Sequence, residues 1–177
     1  MPAGLLEGIR VLDLGSGISA SWCAKILADY GAEVIKVEYP GSGDAARRMG
    51  PFAGDDPDLE KSLTFLYLNT NKQGVTLDLE TPTGKEILGG LLAQSQVFVH
   101  NLHPTEMDRL GLGYDSLKAH NDQLVMASIT PFGLTGPYRN YKAYDINLAA
   151  AGGICEGLGS PDREPLTFGT PEVGYFA

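Results

Sequence analysis

This chain is poor in cysteine and in positive charge. Its two cysteines, Cys23 and Cys155, stand far apart and form neither a C-x-x-C pair nor a metal-binding spacing. A disulfide scaffold is therefore not expected, and a reducing cytoplasm is the simpler setting. Lysine and arginine together number 13 against 22 aspartates and glutamates, giving a net charge of −9. That balance argues against a nucleic-acid partner, whose phosphates would be repelled, although a few well-placed cations can still hold a small anion. No apolar run approaches the length of a membrane span, and MPAGLLEGIRVLDL lacks the basic-then-apolar order of a secretion signal. With 43% hydrophobic and 20% charged residues, the composition is that of a globular, soluble chain able to bury a sizeable core.

What is present is an alternation of strand and helix signals. IRVLDL (9–14) is a short apolar run ending at Gly15 and reads as a buried strand. The helix after it, ASWCAKILADYG, has Ser19 or Ser21 as cap and Gly31 as stop. EVIKVE (33–38) is the next strand, so residues 9–38 form a β-α-β unit of crossover length with parallel strands. Residues 39–59 shift to Gly, Pro, Asp and Arg without apolar periodicity and are expected to be a long surface loop. VTLDL (75–79), QVFVH (96–100) and LVMASIT (124–130) are further strands. TPTGKEILGGLLAQ (81–94), capped by Thr81, and PTEMDRLGL, opened by Pro104, are helices. KAYDINLAAAGG follows as a helix of small residues. The fold class this implies is α/β, an open parallel sheet of Rossmann type.

Several stretches could carry chemistry. DLGSGIS (13–19), a Gly-rich turn between strand and helix with Glu38 closing the next strand, follows the plan of nucleotide and S-adenosylmethionine sites. A methyltransferase is thus one reading, a turn serving only the fold another. HNLH (100–103) pairs two histidines without a third ligand nearby, so solvent-facing loop histidines are expected rather than a metal site. Cys23, on an apolar helix, reads as packing. The scarce cations Lys72, Arg109 and Lys142 sit at element ends, where phosphates meet helix N-termini and strand ends.

Together, LEGIRVLDL, LADYGAEVIKVEYPGSGDAAR, LNTNKQGVTLDLETPTGKEIL, VHNLHPTEMDRLGLGYDSL and LVMASITPFGLTGPYRNYKAYD resemble the family III CoA-transferases from about Leu6 to Gly153. The block GAEVIKVEYPGSGDAAR is the most specific. The resemblance implies that residues 1–177 are the N-terminal part of a Rossmann-like large domain that binds coenzyme A. It also implies a smaller domain and a returning segment not included in this sequence, with two subunits interlocked or paired with a second such half. The closing GTPEVGYFA, apolar and without a polar tail, fits that expectation of a longer protein. Carried over residue by residue, Lys72, Arg109 and Lys142 match phosphate-holding positions, and Asn101 and Leu102 match a turn touching the CoA. The turn Gly15, Ser16, Gly17, Ile18 and Ser19 matches the loop against which CoA lies. Tyr39 stands where relatives often place an arginine by the adenine, and Tyr144 and Asp145 match a pair near the reacting thioester. Acyl-CoA and a carboxylic acid are the implied partners, with no metal.

The chemistry implied is covalent catalysis by an aspartate that attacks the acyl-CoA thioester through mixed-anhydride and aspartyl-CoA intermediates. In PLTFGTPEVGY that position is Gly174, and Glu172 is the only carboxylate close by. Three functional classes follow: a transferase or lyase-like enzyme acting on acyl-CoA, a CoA-binding half lacking its own nucleophile, and the methyltransferase.

Overall fold

The computed structural model describes residues 4–160, 162–169 and 172–175. Five strands build one parallel sheet: β1 (Arg10–Leu14), β2 (Glu33–Glu38), β3 (Lys72–Thr76), β4 (Val97–His100) and β5 (Val125–Ser128). Their order across the sheet is β3-β2-β1-β4-β5. Chain direction across the sheet reverses between β1 and β4, so the loops leaving these two strands part and open a crevice at their carboxyl ends. The connecting helices are α1 (Ser19–Asp29), α2 (Leu63–Leu68), α3 (Pro82–Leu92), α4 (Pro104–Leu110) and α5 (Tyr114–Lys118). After β5 come α6 (Asp145–Ala151) and α7 (Ile154–Gly157).

Side-chain alternation sends β1 to both faces. Leu12 and Leu14 join Val37 and Phe98 beneath Leu88, Leu92, Met107, Leu110 and Leu117 of α3, α4 and α5. Val11 turns the other way with Val34 and Val99, onto the alanine stripe of Ala20, Ala24 and Ala28 in α1. A strand buried on both faces reads as a nearly continuous apolar run, which is how IRVLDL reads. Gly31 follows α1 with φ +101°, and a Cβ there would come 2.9 Å from Gly4 Cα. The residue is required for both conformation and space.

The structure departs from the sequence reading in four places. Neither Ser19 nor Ser21 caps α1; Ile18 stands at the N-cap without a side-chain bond. Ser21 is instead fully buried, with its hydroxyl 3.1 Å from Lys36 Nζ. Thr81 does cap α3, accepting from Gly84 N at 3.0 Å. The expected strand 75–79 lies at 72–76, because its ladder with β2 runs from Val34–Lys72 to Glu38–Thr76. Leu77 and Leu79 remain buried beyond its end. Residues 39–59 are folded rather than loose, with short 3-10 turns at Ala45–Arg48 and Ala53–Asp55. The fourth departure is the helices missed in the sequence, α5, α7 and α2, the last capped by the buried Ser62, which accepts from Phe65 N at 3.1 Å.

Candidate active site: the cleft at the carboxyl edge

The turn after β1 is held from three sides. Gly15 N donates to Asp13 Oδ1 at 2.8 Å, Ser16 N to Asn101 Oδ1 at 2.9 Å and Gly17 N to Asp44 Oδ1 at 2.7 Å. Asn101, just past β4, returns two bonds from its amide nitrogen, to Ser16 O at 2.7 Å and Ser19 Oγ at 3.1 Å. One side chain thus ties together the two loops that diverge at the switch point.

Beside this turn lies a cleft of about 160 Å3 at the carboxyl ends of β1 and β2. Its walls are Leu14, Val37, Leu77, Leu79, Leu102 and Leu110, with Gly15 and Ser16 along one edge and Tyr39 at the mouth. Tyr39 is half exposed, and the charge of Asp78 pushes its phenol above the usual pKa. Glu80 and Glu106 form the rim. Arg109 bridges them, with Nη1 2.8 Å from Glu80 Oε2 and Nε 2.9 Å from Glu106 Oε2. The guanidinium holds both carboxyls below their ordinary range, and the two carboxylates raise the arginine. Glu38 also lines the cleft, but its oxygens take Arg47 Nε at 2.7 Å, Arg47 Nη2 at 2.9 Å and Asp44 N at 2.9 Å. Arg47 depresses its pKa. Committed this way, Glu38 is not free to hold a ribose, which removes one support of the methyltransferase reading.

Under the turn lies a buried ionic cluster that the sequence reading missed. Lys36 Nζ is 2.6 Å from Asp44 Oδ2 and 3.7 Å from Asp13 Oδ2, and Lys72 Nζ is 2.8 Å from Asp13 Oδ2. Two cations and two anions cancel, which is the condition for keeping them so deep. The signal available was Asp13 and Lys36 inside apolar strands; they are direct partners in the β1–β2 register. Lys72 was expected to hold a phosphate; its amine is engaged in this cluster and Lys72 is not among the residues lining the cleft. It opens β3 at the amino end of the sheet and points inward, donating also to Ser21 O at 2.8 Å and Asn69 Oδ1 at 2.9 Å. Burial pulls its pKa down while Asp13 opposes the shift.

The model of CoA-transferase family III matches residues 6–177. The chain belongs to CoA-transferase family III. It is 41% identical over 172 residues to the succinyl-CoA–L-malate CoA-transferase beta subunit of Chloroflexus aurantiacus, covering 97% of this chain and 41% of that one. A formyl-CoA:oxalate CoA-transferase of Rhodopseudomonas palustris is 40% identical over 166 residues, covering 93% of this chain and 37% of its own. Among solved structures, a CAIB/BAIF family protein from Brucella suis superposes with a TM-score of 0.88 at 38% identity, over 97% of this chain and 45% of that one. The hypothetical protein Rv3272 from Mycobacterium tuberculosis gives 0.85 at 35% identity, over 99% and 47%. The chain therefore spans about two fifths of the length of these curated relatives.

Of the residues that the family resemblance singles out, Gly15, Ser16, Tyr39 and Leu102 line the cleft and Arg109 bridges its rim. Gly17, Ile18 and Ser19 belong to the turn beside it, and Asn101 holds that turn from the end of β4. Lys142, Tyr144 and Asp145 do not line the cleft. Lys142 is exposed, and Tyr144 and Asp145 open α6, which packs against the 3-10 turn Glu172–Tyr175. That turn in turn packs on the start of α1, where Tyr175 meets Trp22 edge-on at 5.4 Å. A Cβ at Gly174 would stand 3.0 Å from Ile18 Cβ and 3.1 Å from its Cγ2. The side chain of Glu172 lies outside the described residues. Of the HNLH histidines, His103 is half-buried and His100 is not solvent-facing as expected but fully buried, with Nε2 2.6 Å from Ser128 Oγ. Burial lowers its pKa to about 4. The β-strand alternation that aims Phe98 into the core aims His100 there too. Burial raises the thiol pKa of half-buried Cys23, in keeping with a packing role. Among the described residues no group of three or more His, Cys, Asp or Glu is placed to hold a metal, and no helix is long and apolar enough to cross a membrane.

Proposed function

We propose that residues 1–177 are the CoA-binding part of the large domain of an enzyme that moves CoA between an acyl-CoA thioester and a carboxylic acid. The reading rests on one observation: in a chain of this family, an apolar cleft opens beside a Gly-rich turn at the sheet's switch point. Tyr39 offers a ring for stacking at the mouth, and Leu79, Leu102 and Leu110 offer an apolar bed for an adenine. Arg109 supplies the cation for a phosphate, once it releases one of its two carboxylates. Lys142, exposed at the end of the Gly/Pro loop, is the second phosphate candidate, and Tyr144 and Asp145 are candidates for the neighbourhood of the thioester. The cytoplasm is the proposed setting, and an interlocked homodimer or pairing with a second half is the proposed assembly.

A second reading has its own observation. A Cβ at position 174 would press on Ile18 at 3.0 Å, so that Ile18 would have to give way, and this chain is tightly packed around glycine where the resemblance implies a nucleophilic aspartate. A CoA-binding half that works with a carboxylate from a partner half follows from that packing. Calorimetric titration of CoA and acetyl-CoA into the protein tests the shared core of both readings. Saturable binding is expected, weakened about tenfold by Asn101→Ala, which releases the turn at the loss of about 1.4 kcal/mol. Absence of binding in the parent overturns both. Turnover of acetyl-CoA with a carboxylic acid by the parent alone overturns the second.

A further inference from the structure

Among the described residues, four buried polar atoms lack a hydrogen-bond partner, and two of them belong to residues that line one cavity. The four are His100 Nδ1, His103 Nε2, Thr130 Oγ1 and Arg139 Nε. Leaving one such atom unpaired costs roughly 1–3 kcal/mol, so two on the residues of one cavity wall point to a polar molecule that they serve. Two of the four belong to residues lining a second cavity of about 180 Å3. The other two sit on His103, next to the lining Pro104, and on Thr130, two residues after Ser128. α4 separates this cavity from the cleft, with Glu106 and Leu110 facing the cleft and Met107 and Asp108 facing the cavity.

The polar wall is specific. His100 is fully buried, and one ring nitrogen is already engaged with Ser128 Oγ at 2.6 Å. Arg139 gives Nη2 to Asp108 Oδ2 at 2.6 Å, so these two charges cancel and the Nε–H remains as an unused donor. A carboxylate here would meet Asp108 without a spare positive charge, whereas an uncharged acceptor meets a donor at no electrostatic cost. The remaining wall is apolar, with Pro104, Met107, Met126 and Leu134. The volume is well above the roughly 10–15 Å3 that one ordered water needs.

We propose that this cavity is a second small-molecule site, taking an uncharged molecule with a carbonyl oxygen and a short aliphatic body. The oxygen accepts from Arg139 Nε–H, and the body lies against Met107, Met126 and Leu134. The site is separate from the cleft, on the other side of α4. Its test is titration of N-methylacetamide into the 15N-labelled protein, following the arginine Nε–H and histidine ring resonances, with acetate as the charged counterpart. Saturable shifts of Arg139 and His100 are expected, with acetate at least tenfold weaker. Arg139→Met is expected to weaken binding at least tenfold. Because that change also strips Asp108 of its partner, Leu134→Trp, which intrudes on the cavity from its half-exposed rim, is the second variant and is expected to block binding. Absence of saturable shifts in the parent overturns the proposal and leaves these atoms to ordered water. Acetate binding as tightly as the amide overturns it as well, as does binding that survives both variants.

Discussion

Placing a carboxylate at position 174 is a sharper perturbation than it looks. A Cβ there would lie 3.0 Å from Ile18 Cβ and 3.1 Å from Cγ2, against the 3.5–4.0 Å at which carbon atoms ordinarily rest. Ile18 must therefore yield by a few tenths of an ångström. It has little freedom to do so. It is β-branched and 8% exposed, and it packs with Ala46 and Leu68, both fully buried, and with Trp22. Overpacking of this kind costs roughly 1–3 kcal/mol. Gly174 is not in the left-handed region, so the cost is one of space rather than backbone strain. Gly174→Ala and Gly174→Asp are both expected to lose stability in urea unfolding, the aspartate more, since its carboxylate is also partly desolvated. Ile18→Ala alone leaves a void and costs roughly 2–5 kcal/mol. In Ile18→Ala/Gly174→Ala the two defects fill one another, so the loss is expected to fall short of the sum by roughly 0.5–3 kcal/mol. Strict additivity, or a Gly174→Ala variant as stable as the parent, would refute the packing argument. The same variants assayed with acetyl-CoA and an acceptor acid connect it to function. Transferase turnover that appears with aspartate at 174, and more strongly once Ile18 is trimmed, is the outcome expected of a half that lost its nucleophile.

Two further outcomes follow from buried charge. Lys72→Met removes one member of the neutral cluster and leaves Asp13 undercompensated, so unfolding stability is expected to fall by about 3–5 kcal/mol; a loss below 1 kcal/mol, or one matched by a tenfold loss of CoA affinity in a stable protein, would return Lys72 to the ligand. His100, pulled by burial from its ordinary 6.5 to about 4, is neutral in the folded protein, and protonation favours the unfolded chain. Its contribution is present in full above pH 6.5 and is lost as pH falls toward 4. His100→Phe is expected to flatten stability between pH 6.5 and 5, measured by urea midpoints, and an unchanged slope would refute the assignment.

The sheet was legible because its strands carry the signal that buried parallel strands must carry. IRVLDL and EVIKVE put branched apolar residues on both faces, with Gly15 and Pro40–Gly41 as stops. The turn was legible for a similar reason, since Gly15 to Ser19 falls between a strand and a helix. What the sequence hid was facing. Lys72 looks like a cation at a strand end, but that end is the amino end, and its long side chain runs beneath α1 to Asp13. Arg109 looks much the same in sequence and comes to the rim of the cleft, because it projects from an exposed helix side near Glu80. Only three-dimensional register separates the two. α2 was hidden because LTFLYL is as apolar as a strand, and its helical state depends on Ser62 as cap and on Leu68 packing into the cluster with Ile18.

Asp44 shows how the specific P-G-S-G-D block (40–44) shapes the site through its own hydrogen bonds and charge. Its Oδ1 accepts from Gly17 N and Ala46 N, both at 2.7 Å, while Oδ2 stands 2.6 Å from Lys36. Its own N–H goes to Glu38. The glycines before it permit the reversal after β2: Gly41 and Gly43 both have positive φ. That reversal brings the aspartate back under the turn after β1. A carboxylate in this place both caps a 3-10 turn and balances a buried lysine. An asparagine could keep the first role and would fail the second. The loop at residues 39–59 therefore acts as a strut, and the shape of the cleft edge at Gly15 and Ser16 depends on a charge pair formed beneath it.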